Sequence, residues 1–345
     1  MATPYFGALD GLRCLSIAAV IWHHAAGWHL AGLLGRGHDG VMLFFAISGF
    51  LITTLLLRER DRTGRIRLGA FYRRRTLRIF PLYYAVLGLY LLLVLSLERH
   101  APAGEQFLHN LPSFLTYTSN WFVDAHGQTR VIFYFAWSLA TEEQFYLFWP
   151  SVLRWTRSWQ VPAAVMVGLI VVQALGDPSG LGTRIAGSIA TPICLGCLGA
   201  QVLHHPRGFA WAAPFVAQRW SGVLWSSALV ACLASRAPDA AAFPFMTGWV
   251  LSSAARADGM LSSVLAHPIA RYVGSISYGM YLLHMFALNA VKRAWPGAGE
   301  FAAFAGTLAL SVAFAALSHR FFERPLMAWR GSTALNGQGA LPALR

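Results

Sequence analysis

The chain has 345 residues, of which 56% are hydrophobic and only 12% charged, and it carries a net charge of +13. With a mean hydropathy of +0.50, this composition excludes a soluble domain of ordinary make-up and points to a polytopic membrane protein. In such a protein Lys and Arg mainly set topology, so the basic balance is no argument for a nucleic-acid partner.

The first apolar stretch, Leu9 to Trp28, is long enough to cross a bilayer, because a span needs about 20 apolar residues. It nevertheless carries Asp10, Arg13, His23 and His24, and an Arg or Asp inside a span costs roughly 2.5 kcal/mol or more. On a helix turning about 100° per residue, Arg13 and His24 lie about 20° apart on one face, separated by a rise of roughly 16 Å. Asp10 falls within about 40° of His24, while His23 points about 100° away. The face of Asp10, Arg13 and His24 is expected to look inward, toward other helices or a water-filled cavity. The competing reading makes Asp10 and Arg13 snorkelling anchors and the histidines interfacial hydrogen-bonders. No Lys or Arg precedes Arg13, so this helix is expected to be retained rather than cleaved as a signal.

Apolar runs separated by polar breaks predict ten spans, near 8–28, 40–57, 80–97, 132–152, 161–176, 185–203, 221–235, 240–254, 272–291 and 302–320. The second, GVMLFFAISGFLITTLLL, contains Ser48 and Gly49, small enough for close helix contact. Between the second and third spans lie Arg58, Arg60, Arg62, Arg65, Arg67, Arg73, Arg74, Arg75 and Arg78, which makes this loop cytoplasmic and places both termini inside. Within FYRRRTLRIFPLYY, Arg74 and Arg78 stand at i and i+4 and form a fork suited to phosphates, or else anchor the chain to anionic headgroups. The segment from Glu98 to Arg130 is the longest outside connection, and its Leu108–Trp121 portion is apolar enough to lie in the interface or dip back into the membrane.

The fourth span, WSLATEEQFYLFWP, holds Glu142 and Glu143, which are costly unless protonated, paired or facing water. Ser138, Glu142 and Tyr146 share one face at intervals of four, as expected of a polar facet lining a cavity; the alternative is a broken helix exposing the carboxylates. Cys194 and Cys197 form a lone CxxC, and with Cys14 and Cys232 they lie in apolar stretches, so packing is favoured over a redox or zinc role. In the ninth span Ser277, Tyr281 and His284 share a stripe, consistent with a substrate-lining face or with hydrogen bonding between helices. The tenth ends in HRFFERP, where Pro325 stops the helix, and the tail from Gly331 to Arg345 has little to bury and is expected to be disordered.

LDGLRCLSIAAVIWHH (9–24), GVMLFFAISGFLI (40–52), FYRRRTLRIFPLYY (71–84), WSLATEEQFYL (137–147), SISYGMYLLH (275–284) and FFERP (321–325) resemble, in order, the motifs of the membrane-bound acyltransferase 3 family. That group includes O-antigen and exopolysaccharide O-acetyltransferases. The resemblance implies an all-α integral membrane domain over residues 1–330, about ten transmembrane helices around a polar cavity and both termini cytoplasmic, in the inner cell membrane. It implies transfer of an acyl group, most simply acetyl, from acyl-CoA to a hydroxyl of a sugar or glycosylated acceptor, without a metal. By position, His24 maps to the catalytic histidine, as general base or transient acyl carrier, and Arg13 maps to the arginine of the DGLR motif. Arg74 and Arg78 map to the arginines linked to the acyl donor, and Glu142 to the carboxylate that would orient the imidazole or acceptor. Asp10, Ser138, Tyr281 and His284 are expected to line the substrate cavity. Relatives often carry Asp in the GVDLFF element, where this chain has Met42; Asp39 is the candidate substitute. A hydrolase-like extracytoplasmic domain, present in some relatives, is not expected within this sequence. The rival function is a proton-coupled transporter or flippase of lipid-linked glycans with Arg13, His24 and Glu142 as a proton relay; it lacks a visible inverted repeat. A scaffold for glycan assembly would leave the polar residues of the spans without a role.

Overall fold

The computed structural model describes residues 6–26, 32–124, 131–177, 180–235 and 237–327; Trp28, Arg130 and the tail from 331 to 345 lie outside them. Among the described residues there are helices and turns and no strand. In chain order the helices are α1 (Gly7–Ala25), α2 (Asp39–Thr63), α3 (Leu68–Leu93), α4 (Pro102–Leu115), α5 (Ser119–Phe122), α6 (Trp137–Trp155), α7 (Gln160–Leu175) and α8 (Leu181–Ala186). They continue with α9 (Thr191–His204), α10 (Pro206–Val216), α11 (Ser221–Ala234), α12 (Phe243–Ala255), α13 (Ser262–Leu265), α14 (Pro268–Ser275), α15 (Ser277–Ala294) and α16 (Glu300–Ser318).

Each apolar run read from the sequence falls on a helix, because in hydrocarbon a helix satisfies every backbone N–H and C=O within its own segment. Among the described residues three helical stretches, Gly32–Thr63, Leu68–Glu98 and Glu300–Met327, are long and apolar enough to cross a bilayer by length and composition; α7, α9 and α11 are apolar but shorter. Large apolar side chains stay exposed along α3, α6, α7, α11 and α16, among them Leu92, Leu147, Leu175, Leu224 and Phe301. So much uncovered apolar surface belongs in lipid, and the chain is a multi-pass membrane protein.

Boundaries depart from the sequence pattern where the backbone turns. The fourth run begins near 132, yet α6 starts only at Trp137, because Phe133 adopts a left-handed φ of 65° and Tyr134–Ala136 form a short 3-10 turn. The ninth run is split at Ile276, which separates α14 from α15. In the long connection after α3, α4 buries Phe107 and Phe114 and is tied to α3 by Tyr83 Oη, which donates to the Phe114 carbonyl at 2.8 Å.

α2 is the central post, packed against α1, α6, α9 and α12. Its approach to α9 is set by two glycines: a Cβ on Gly49 would collide with the Ile193 carbonyl, and one on Gly196 with the Ala46 carbonyl. Cys194 and Cys197 are buried on α9; Cys197 donates its thiol to the Gly49 carbonyl at 3.5 Å and Cys194 to the Ile189 carbonyl at 3.3 Å, so the CxxC packs into the bundle. α14 comes equally close to α1, where Gly274 abuts the Asp10 carbonyl.

Candidate functional site

Two hollows lie back to back in the bundle, bordered in common by Val41 of α2 and Tyr281 of α15. The larger, of about 720 Å³, is lined by His23 and His24 of α1, His38, Met42, Trp137 and residues from the ends of α3 and α15. The smaller, of about 90 Å³, is lined by Arg13, Ser48, Arg75, Arg78, Ser138, Glu142, Tyr146, Ser277, Tyr278 and Tyr281.

α1 serves both. Near its start Arg13 Nη1 donates to Asp10 Oδ1 at 2.9 Å, and Asp10 is buried against α14, so the pair is an ion pair held in the bundle rather than two snorkelling anchors. Arg13 reaches the small hollow, but Asp10 does not line either one. Near the other end of α1, His24 Nδ1 donates to the Val20 carbonyl one turn earlier at 2.9 Å. That bond fixes the tautomer of the neutral ring and leaves the Nε2 lone pair available. His23, expected to point away, also borders the large hollow, its ring 5.3 Å from that of His24 and 5.6 Å from that of His38. The wide hollow subtends more of the helix than a single face.

The basic loop divides differently from the i, i+4 reading. Arg78 enters the small hollow, but its companion there is Arg75, whose guanidinium lies 4.8 Å over the Tyr146 ring. Arg74 does not line the hollow: it is half exposed and faces Glu59, with Nη2 3.8 Å from Oε2. Arg75 was available in the RRR triplet, yet helix spacing alone does not distinguish i+3 from i+4 partners of Arg78.

Glu142 sits opposite these arginines. Ser48, read from the sequence only as a small packing residue, donates its hydroxyl to Glu142 Oε1 at 2.6 Å, and Tyr146 reaches Ser48 at 3.5 Å. Glu142, Ser138 and Tyr146 do share the facet lining the hollow. Ser138 lies 2.6 Å from Tyr281 Oη, which donates to the Phe135 carbonyl at 2.9 Å, so the hydroxyls at the junction of the two hollows are locked in place. His284, expected in a substrate-lining stripe, lines neither hollow; it is fully buried behind His24, their ring centroids 4.8 Å apart. Of that stripe, Ser277 and Tyr281 reach the small hollow.

Met42 borders the large hollow, and Asp39 does not take its place. Asp39 is buried and accepts from Arg36 Nε at 2.7 Å, while Arg36 and His38 also reach Asp239 at 3.1 and 3.3 Å, closing the start of α2 onto the segment before α12. Among the described residues no group of three or more His, Cys, Asp or Glu is arranged to hold a metal ion. With three guanidinium groups against one carboxylate and hydroxyls, the small hollow is suited to an anion. The large one, lined by His24 with its available ring nitrogen, by Trp137 and other aromatic rings, and by Glu98, Asn289 and Arg293, can take a hydroxylated molecule.

No solved structure matches the chain. The chain is 27% identical over 323 residues to the peptidoglycan O-acetyltransferase OatA of Listeria monocytogenes, an alignment covering 81% of this chain and 49% of that protein. It is 34% identical over 185 residues to the O-acetyltransferase OatA of Staphylococcus aureus, covering 50% of this chain and 28% of that protein. The chain spans about three fifths or less of the length of these curated relatives. A family profile described as an acyltransferase domain, acyltransferase 3, matches residues 6–320, which takes in both hollows and every helix that lines them. The chain belongs to the acyltransferase 3 family.

Proposed function

We propose that the protein is a membrane O-acyltransferase that moves an acetyl group from acetyl-CoA on the cytoplasmic side to a hydroxyl of a carbohydrate on the outer side. The observation that carries this reading is the pair of adjoining hollows, one bearing Arg13, Arg75 and Arg78 and the other His24, which meet at Val41 and Tyr281. In the proposed topology all ten apolar runs span the inner membrane, both termini are cytoplasmic, and the arginine-bearing hollow opens to the cytoplasm.

A space of about 90 Å³ holds only one end of a donor the size of acyl-CoA. The phosphates engage Arg75 and Arg78 at its mouth, where guanidinium forks match phosphate oxygens, and the thioester arm passes Ser48 and Ser138 toward Tyr281. The acceptor sugar occupies the large hollow against Trp137, since aromatic faces offer sugar rings an apolar platform. His24 Nε2 takes the proton of the acceptor hydroxyl as its oxygen attacks the thioester carbonyl carbon. The tetrahedral intermediate collapses by breaking the C–S bond, and the proton on His24 passes to the departing thiolate, giving the O-acetyl sugar and free CoA. Glu142, held by Ser48, balances the arginine charge and keeps the arm in line. The name of the Listeria relative supports a peptidoglycan-type amino sugar polymer as the acceptor class.

The test is purified protein in lipid nanodiscs with acetyl-CoA and soluble peptidoglycan fragments, following free CoA thiol and acetylated sugar by mass spectrometry. Both products should rise together and only with acceptor present. Protein that binds acetyl-CoA but releases no thiol and acetylates no fragment would return the chain to the transporter reading.

A further inference from the structure

The part of the large hollow beyond His24 has no use in the mechanism above. Tyr281, Met285, Asn289 and Arg293 follow one another at intervals of four along α15, and all of them line the hollow. Residues at that spacing form one stripe, which climbs about 6 Å per step. The stripe runs from Tyr281, at the junction with the small hollow, to Arg293 in the last turn of α15. Its inner end is committed, since Tyr281 Oη bonds the Phe135 carbonyl and Ser138. Its outer end is not: among the described residues neither the Asn289 amide nor the Arg293 guanidinium has a hydrogen-bond or ion-pair partner.

Of the described side chains lining the hollow, Glu98 and Arg293 alone carry a full charge without help from histidine protonation; Glu98 makes a polar contact of its own, and Arg293 is not its partner. A cation in the last turn of a helix is favoured by the helix dipole and by itself says nothing of a ligand. Lys292 meets that need equally well, but it is exposed and does not line the hollow. What sets Arg293 apart is its place on the stripe. In the proposed topology this end of α15 is also the outer one, where Lys and Arg are disfavoured, so orientation is not what Arg293 supplies.

We infer that Arg293, with Asn289 beside it, determines acceptor specificity, and that the acceptor carries an oxyanion, a carboxylate or a phosphate, apart from the hydroxyl that is acylated. A guanidinium fork matches either group, and the amide adds a donor. His24 meets His284 of α15 at 4.8 Å between ring centroids, and from position 284 to position 293 the helix rises about 14 Å. The anion therefore belongs to a unit neighbouring the acylated sugar, and the acceptor is an oligosaccharide or longer chain, for which a hollow of about 720 Å³ has room. The inference rests on the reading of the large hollow as the acceptor site and adds no chemical step.

The test uses the protein in nanodiscs of zwitterionic lipid, with saturating acetyl-CoA and one soluble peptidoglycan tetrasaccharide in three forms: carboxylates free, carboxylates capped as methylamides, and capped with a phosphate at the reducing end. The native protein should show a KM for one charged form about 3- to 10-fold below that for the capped form, as expected of a charge-assisted contact at a partly exposed mouth. The form with the lower KM identifies the anion as carboxylate or phosphate. Arg293→Ala should erase the difference and leave kcat and KM for the capped form unchanged, which also shows that the variant is folded. Arg293→Lys should keep part of the difference and Lys292→Ala all of it, and added salt should shrink it in the native protein. Equal KM values for the three forms in the native protein overturn the inference alone. So does a preference that survives Arg293→Ala, or an Arg293→Ala that impairs the capped and charged forms equally. Acetylation of none of the forms by protein that binds acetyl-CoA overturns the acyltransferase reading and the inference with it.

Discussion

Replacing Arg74, Arg75 and Arg78 one at a time by Ala separates a donor-binding role from lipid anchoring. Arg75 and Arg78 line the small hollow, where a charge-assisted guanidinium–phosphate contact is worth about 1.5–3 kcal/mol, or roughly 10- to 100-fold in an apparent constant. Arg74 is half exposed and already faces Glu59 at 3.8 Å, and exposed pairs of this kind contribute about 0–1 kcal/mol, under roughly fivefold. Each of the Arg75→Ala and Arg78→Ala variants should therefore raise the KM for acetyl-CoA by about 10- to 100-fold, and Arg74→Ala by less than about fivefold. Since the lost contacts are made to the bound substrate before any bond changes, kcat should move little. The assay is initial-rate release of CoA thiol against acetyl-CoA concentration at saturating acceptor. A KM for Arg74→Ala raised as far as that for Arg78→Ala would refute the assignment, and unchanged KM values for Arg75→Ala and Arg78→Ala would reduce all three arginines to headgroup anchors.

Other perturbations address the histidine, the packing and the topology. His24→Ala should abolish acetyl transfer, a loss of about 10² to 10⁴-fold for a positioned base, whereas His23→Ala, at the border of the acceptor hollow, should keep most of its kcat; the reverse ranking in the same rate assay would remove His24 from the mechanism. Gly49→Val drives a side chain into the Ile193 carbonyl and should cost more than the roughly 1–3 kcal/mol of ordinary overpacking, read as loss of the monodisperse peak and a lowered melting temperature. An unchanged melting temperature would contradict the close contact of α2 and α9. In intact cells an impermeant maleimide should label Glu105→Cys and not Arg62→Cys, both exposed positions; the opposite pattern would invert the proposed orientation.

The sequence by itself determined that the protein is a helical membrane protein and where its apolar runs lie, because apolar length and charge breaks are local properties that the bilayer reads directly. It also identified the polar facet of α6, since residues spaced four apart share a face whatever the helix packs against, whereas on α1 His23 joined His24 at the large hollow and Asp10 lined neither. The rotation and depth of one helix against another are set by small residues and close backbone approach, as at Gly49 and Gly196, and these have no signature in a single helix's periodicity. For that reason only the tertiary structure decided that Arg75 rather than Arg74 accompanies Arg78, and that Asp39 belongs to Arg36 and not to the position held by Met42. The same reason applies with most force to His284. It was legible as a polar residue on the right stripe, but its contact is with His24, far away in the chain, and whether a side chain faces a cavity or the back of another ring depends on the neighbouring helices that surround it.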